Sequence, residues 1–148
     1  MERVETKSKL RLYRKLKTKL TLEDYVVELP REKRRILTML RGGTNRLRIE
    51  TGRWVGEREE ERVCKVCLSN EVEDETHFLL ACPFYVIQRT EMFAKIREAC
   101  NLDDIEMMNN DWQLEILIGV GWRKSGKGIR EIVLEYVRKA YMIRNKYV

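Results

Sequence analysis

The segment from Cys64 to Cys82 holds three of the four cysteines and the only histidine of the chain. Two residues separate Cys64 from Cys67, nine separate Cys67 from His77, and four separate His77 from Cys82. Three thiolates and one imidazole form a closed ligand set for tetrahedral zinc, and a two-residue gap lets a tight turn bring both sulfurs to about 2.3 Å from one ion. The sequence therefore predicts a structural zinc site with Cys64, Cys67, His77 and Cys82 as ligands.

The spacing from His77 to Cys82 constrains the backbone between them. On one continuous α-helix, at about 100° per residue, these side chains would lie roughly 140° apart and could not share a metal. Pro83 disfavours the α conformation for the residue before it. We therefore predict a short helix from Thr76 to about Ala81 that breaks at Cys82 and turns its sulfur back toward His77.

Three other interpretations of these residues stay open. Cys64 and Cys67 could be a redox dithiol, although no strand and helix of a thioredoxin-like unit surround them. The cysteines could form disulfides, although the chain lacks a secretory segment and its richness in lysine and arginine suits a reducing compartment better. His77 could be a half-buried helix residue beside Phe78. Because all four ligands fall within nineteen residues, the sequence favours zinc.

The length and charge of the chain bound its class. A chain of 148 residues with a net charge of +6 fits one basic domain with a real core. No apolar run approaches the roughly 20 residues that span a bilayer, and the glycine-rich loop 119–128 lacks a phosphate-binding pattern. We expect an intracellular protein, nuclear or cytoplasmic, with neither a membrane partner nor a small-molecule substrate.

Positive charge is concentrated in three blocks. Residues 1–20, 31–48 and 122–148 each carry a net charge of +6, whereas residues 49–121 carry −9. The acidic residues between the two ligand pairs are Glu71, Glu73, Asp74 and Glu75. A phosphate backbone would be repelled by an acidic loop of this kind. If the protein binds nucleic acid, we expect the basic blocks to make the contacts and the metal to act as a staple.

Apolar periodicity predicts helices through most of the chain. The predicted segments are a basic helix carrying Leu10, Tyr13, Leu16 and Leu20, a short helix capped by Thr21, and helices over 31–41, 83–100, 112–120 (capped by Asp111) and 129–146. Only Leu47, Ile49 and Thr51 alternate with charged residues, as in a short strand. The expected fold is mainly α, a small helical domain around one zinc site with at most a short β element near residues 46–53. We expect a basic helical arm over 1–30 and a zinc-binding domain over 31–148.

Arginines near the finger, the segment from Cys64 to Cys82, are candidates for nucleic-acid contacts. Guanidinium groups can bind phosphates, and an indole ring can stack on a base. The candidate residues are Arg34, Arg35, Arg41, Arg46, Arg48, Arg53 and Trp54. The alternative is that Trp54 covers the zinc turn while Arg53 extends over it. The basic N-terminal helix could likewise be an ordinary solvated helix.

Several motifs together resemble a known family. These are LRIETGRW, a charged linker, CKVC, then EVEDETHFLLACPFY and the later Arg89. They resemble the C-terminal tail of endonuclease–reverse transcriptase polyproteins of non-LTR, LINE-like retrotransposons, which carry a zinc-binding Cys-Cys-His-Cys segment. The resemblance covers most of the chain and is strongest over 46–89. It implies that Cys64, Cys67, His77 and Cys82 are the metal ligands.

The resemblance also implies a function. In such polyproteins this region follows the polymerase and is thought to help hold template RNA and target DNA during target-primed reverse transcription. A polymerase needs paired metal-binding aspartates on a strand turn, and we find neither that motif nor an endonuclease constellation in the sequence. We therefore expect a non-catalytic module that binds RNA, DNA or both. The alternative is a zinc-stabilised scaffold with a protein partner and no nucleic-acid role.

Overall fold

The chain is mainly α-helical, as its periodicity predicts. The computed structural model describes residues 10–17, 21–119 and 127–148. The α-helices within these ranges are α1 (Arg11–Leu16), α2 (Asp24–Glu28), α3 (Arg31–Gly42), α4 (Arg48–Trp54), α5 (Val86–Cys100), α6 (Asn110–Ile118) and α7 (Lys127–Arg144). Shorter helical turns lie at Glu59–Glu61, His77–Ala81, Pro83–Tyr85 and Ile105–Met107. In the same ranges β pairing is limited to one antiparallel bridge between Val63 and Val72.

The two longest helices form the centre of the fold. Helix α5 packs along α7, and Ile96, Val137 and Ala140 are fully buried. Above this apolar seam, lysine–glutamate pairs connect the helices, with Lys95 3.1 Å from Glu135. The apolar stripe predicted for α7 therefore faces the core, because burial of one face is what stabilises an amphipathic helix.

The N-terminal segment joins the same core. Helix α1 packs against α3, and Leu12 and Leu16 are buried in one cluster with Leu37. Helix α3 is capped at its C-terminal end by Gly43, whose left-handed backbone conformation (φ 64°) glycine adopts readily. The division into two parts at residue 30 stays a prediction. Leu20 lies outside the described residues, as do the residues before Leu10 and most of the glycine-rich loop.

The predicted strand near residues 46–53 is wrong, because the helix α4 (Arg48–Trp54) occupies most of this segment. The side chain of Asn45 accepts a hydrogen bond from the Leu47 N–H at 3.0 Å. Glu73 then satisfies the first turn of the helix, its carboxylate accepting from Arg48 N–H at 2.8 Å and its carbonyl from Ile49 N–H at 3.0 Å. A residue distant in sequence thus supplies the cap that helix N-termini need, and this tertiary contact overrides the local alternation.

Two predicted caps are also corrected. Asn109, not Asp111, caps α6, because its side-chain oxygen accepts from the Trp112 N–H at 3.0 Å. Helix α2 begins at Asp24 with Glu23 at the capping position, so Thr21 lies before it. Both errors are small shifts along the chain, where several polar residues compete for one cap.

None of the described helices has the length and apolar character that crossing a bilayer requires.

A buried ion pair ties the last helix to the finger segment. Arg144 on α7 donates to both carboxylate oxygens of Glu73 at 2.8 Å. Both side chains are almost completely buried, at 4% and 1% exposure. A bidentate pair of this kind is geometrically specific. The same Glu73 caps α4, so three distant parts of the chain converge on one carboxylate.

We predict that Glu73→Gln destabilises the protein by about 3–5 kcal/mol, because it leaves the Arg144 guanidinium buried without a counter-ion. Urea unfolding of the metal-loaded protein measures this change. The matched control is Glu61→Gln, which removes an exposed pair with Arg58 and should leave the free energy of unfolding unchanged. Equal losses in the two variants would contradict the prediction.

Candidate metal centre

The four predicted ligands lie together. The donor atoms of Cys64, Cys67, His77 and Cys82 are all within 4.8 Å of one another. Around a metal with bonds of about 2.3 Å, tetrahedral donors stand about 3.8 Å apart. Cys64, Cys82 and His77 are buried and Cys67 is half-buried. The residues therefore fit a tetrahedral metal ion that is largely shielded from solvent.

The first two ligands sit on a tight turn closed by backbone hydrogen bonds. The Cys64 N–H donates to the Glu71 carbonyl at 2.8 Å, beside the bridge between Val63 and Val72. Within the turn, Leu68 and Asn70 adopt left-handed conformations, with φ of 56° and 59°. These reversals fold the chain back so that both sulfurs face the same side.

His77 and Cys82 converge through a wide helical turn. The Cys82 N–H donates to the His77 carbonyl five residues earlier at 2.7 Å, which is the π-helical hydrogen bond. Cys82 itself is outside helical geometry, with φ −56° and ψ 119°, so the predicted break before Pro83 is confirmed. The π turn was not predicted by the spacing of His77 and Cys82. The wide π turn and the break at Cys82 together bring the Cys82 side chain back toward His77.

Hydrogen bonding perturbs the protonation of the metal-free cluster. The Cys82 thiol donates to Cys64, which lowers the pKa of Cys64 and raises that of Cys82. Burial acts to lower the pKa of His77, but hydrogen bonds to the Cys64 and Cys67 thiolates outweigh it and raise that pKa to about 9. A cation that binds to the thiolates and the imidazole would therefore replace the protons that the cluster holds.

Contacts outside the ligand set support the ligands. The Cys67 sulfur is 3.1 Å from the Ser69 hydroxyl, and His77 Nδ1 is 3.0 Å from a carboxylate oxygen of Glu71. The Asp74 carboxylate accepts from the His77 N–H at 2.7 Å and starts the turn that carries the ring. Sequence reasoning missed these supporting residues, although their place between the ligand pairs was a usable signal.

Two of the four acidic residues of this loop, Glu73 and Glu75, are internal, which corrects the expectation that the whole loop faces a partner as a repulsive patch. Glu73 is paired with Arg144, and Glu75 is 1% exposed and bonded to Arg11 and Asn45. Burial raises the pKa of Glu75, opposed by the charge of Arg11. The sequence pattern placed these carboxylates on the surface because it could not show that cations from both ends of the chain cover them.

Three of the candidate nucleic-acid residues are held by acidic partners. Arg41 is 1% exposed and lies 3.3 Å from Glu23, so in this structure it presents no group to a phosphate. Arg48 is paired with Glu57. Arg53 is bonded to the buried Glu50 at 2.8 Å. Their charges are therefore already compensated within the fold.

The other candidates differ in how available they are. Arg34 donates to the Val26 carbonyl and is half-buried. Arg35 and Arg46 are exposed, and the described part of the chain provides neither with an acidic partner within ion-pair distance. Trp54 is 60% exposed. Arg35, Arg46 and Trp54 are thus the members of the predicted set that present free groups to solvent.

The cysteines are all free thiols, so the disulfide alternative receives no support. Cys100, near the end of α5, stands outside the metal cluster. Comparisons with known protein families, curated proteins and solved structures gave no match to this chain.

We predict that each chain binds one metal ion. The Cys67→Ser variant should lose this ion and part of its thermal stability, because metal binding is coupled to folding. Elemental analysis and thermal unfolding measure both effects. Cys100→Ala is the control and should keep the metal, with only a modest penalty for trimming a half-buried side chain. Loss of metal in the Cys100 variant, or unchanged melting of a metal-free preparation, would show that the assignment is wrong.

We also predict that the apparent affinity for Zn²⁺ falls as the pH is lowered below about 9. At such pH the metal-free cluster keeps the His77 proton, and binding must displace it because only the neutral imidazole is a ligand. Competition with a chelator whose own protonation is known measures the affinity across the pH series. An affinity that does not change with pH would show that binding displaces no proton from the cluster, which contradicts the assignment of His77 and of the protonated Cys82 thiol as ligands.

Proposed function

We propose that this chain is a non-catalytic, zinc-stabilised module that binds RNA or DNA. The observation that carries the proposal is the pairing of an enclosed Cys₃His cluster with exposed, uncompensated arginines on the same small fold. The cluster supplies rigidity, and the arginines supply charge for phosphate groups. The two features have separate tests.

Zinc is the metal that suits this donor set best. Thiolates select soft or borderline metals, and a tetrahedral site with three sulfurs and one nitrogen is typical of structural zinc. All four donors come from the protein, so no position is left for a water or a substrate. Zinc would therefore stabilise the fold and supply no reactive group.

The lack of an available base supports a non-catalytic module. The chain contains one histidine, and His77 lies among the metal ligands. A cysteine nucleophile needs a neighbouring base to activate it, and the proposed zinc ion occupies the only imidazole. Thiol hydrolase chemistry is therefore the least consistent with this chain.

The nucleic-acid part of the proposal rests on Arg35, Arg46 and Trp54. The arginines are exposed and the indole is 60% exposed, so phosphate contacts and base stacking are both accessible. The net charge of +6 favours a polyanionic partner. The likeness of the finger motifs to the tails of LINE-like retrotransposon polyproteins supports the same class of partner.

A protein-binding scaffold is the second candidate, and an exposed apolar region favours it. Ile87 is 75% exposed and Tyr147 64% exposed, and the Tyr147 ring lies 5.1 Å from that of Phe84, three residues before Ile87 in the chain. Exposed apolar side chains that gather at one place are typical of protein interfaces. On this view zinc stabilises the fold and the basic surface is incidental.

We predict that the double variant Arg35→Gln, Arg46→Gln weakens binding to labelled RNA and DNA and flattens its salt dependence. Each lost phosphate contact should reduce the slope of log affinity against log salt by about 0.7 to 0.9. Fluorescence anisotropy over a salt series measures both quantities. Sequence preference should change little, because phosphate contacts position a protein without reading bases.

The charge-matched control is Arg58→Gln, Arg97→Gln. These arginines are exposed or nearly so but paired with Glu61 and Glu106, and their loss should leave the slope close to that of the unaltered protein. An equal change in both double variants would indicate a net-charge effect only. If neither nucleic acid binds the unaltered protein, the scaffold takes the place of the proposed function.

A further inference from the structure

The two ring nitrogens of His77 face different partners. Nε2 lies 3.3 Å from the Cys67 sulfur, on the side of the metal cluster. Nδ1 lies 3.0 Å from a carboxylate oxygen of Glu71. An ionised carboxylate can only accept hydrogen bonds, so the proton of the neutral ring belongs on Nδ1. This arrangement leaves the lone pair of Nε2 directed at the sulfurs.

The backbone of the finger holds Glu71 in place. Its carbonyl accepts from the N–H of the ligand Cys64 at 2.8 Å, and its own N–H donates to the Ser69 hydroxyl at 3.3 Å. That same hydroxyl lies 3.1 Å from the Cys67 sulfur. Glu71 is thus tied through its main chain to one pair of ligands while its side chain reaches a third.

Glu71 differs from the other acidic residues of this segment. Glu73 is taken by Arg144, Glu75 by Arg11, and Asp74 by the backbone of the turn. In the ranges that the structure describes, Glu71 has no lysine or arginine within ion-pair distance, and His77 is its charged or polar side-chain partner. The Glu71 side chain is 62% exposed, whereas the His77 ring is 4% exposed. The contact with the His77 ring, and not burial against other side chains, therefore explains where the Glu71 carboxylate lies.

We propose that Glu71 is the positioning residue of this metal centre, which keeps the proton of His77 on Nδ1 and directs Nε2 to the metal. A carboxylate behind a ligating imidazole also makes that ligand more basic, and losing such a partner typically weakens metal affinity 10- to 100-fold. The inference rests on the proposed zinc function, because it concerns how tightly that ion is held.

The test compares Glu71→Ala and Glu71→Gln with the unaltered protein. Competition with a chromophoric chelator should show a Zn²⁺ affinity about 10- to 100-fold lower for Glu71→Ala. Glu71→Gln keeps an oxygen that can accept from Nδ1 but loses the negative charge, so its affinity should lie between the two. Because Glu71 is largely exposed, both variants should fold, and the Gln variant preserves the size of the side chain.

The matched control is Glu60→Ala, which removes the same charge from an exposed glutamate paired with Arg58. Its Zn²⁺ affinity should equal that of the unaltered protein. If Glu71→Ala and Glu60→Ala bind Zn²⁺ equally tightly, Glu71 acts only through net charge or not at all, and the proposal is overturned.

A second readout does not depend on affinity. His77 is the only histidine, so long-range ¹H–¹⁵N NMR of the ring reports this site alone. The zinc-loaded protein should show the metal on Nε2 and a proton on Nδ1, and that proton should exchange faster with water in Glu71→Ala. Coordination through Nδ1 would overturn the proposal while zinc binding stood, whereas an unaltered protein that binds no zinc would overturn the proposed function first.

Discussion

The carboxylate of Glu73 is the contact on which most of this structure depends. It accepts two hydrogen bonds from Arg144 at the end of α7 and a third from the first N–H of α4. Its oxygen also lies 3.9 Å from the sulfur of Cys64. A buried charge of this kind is tolerated only when its partners are all in place. The metal cluster, the capped α4 and the C-terminal helix are therefore parts of one cooperative unit.

This dependence changes how the charge of the chain should be interpreted. The basic blocks and the acidic centre of the sequence meet in the interior, where Arg11 contacts Glu75 and Arg144 contacts Glu73. The positively charged surface is therefore smaller than the composition suggests, because many cations are already paired with carboxylates. Arg35 and Arg46 are exposed members of the part that is left. Electrostatic attraction of a polyanion depends on charge that reaches solvent, so the exposed arginines are more informative than the net charge.

The four candidate metal ligands show how local spacing and backbone geometry act together. Cys64 and Cys67 need only a tight turn, and the left-handed residues within it supply the reversal. The other pair needs a π-helical hydrogen bond from Cys82 to His77 and a break before Pro83. Interrupted helices of this type are frequent at functional sites. The Cys82 N–H and the His77 carbonyl both keep a hydrogen-bond partner in this geometry.

The sequence by itself determined which four donor side chains come together, the mainly helical fold and the break at Cys82, because these depend on residue type and short spacing. Only the tertiary structure decided that Arg41 is buried, that Glu73 and Glu75 are internal, and that residues 48–54 form a helix. Those outcomes depend on contacts such as that between Glu73 and Arg144, which lie 71 residues apart. Local propensity carries no information about such a partner, and the free energy of burying and pairing a charge exceeds the weak preferences of a short segment.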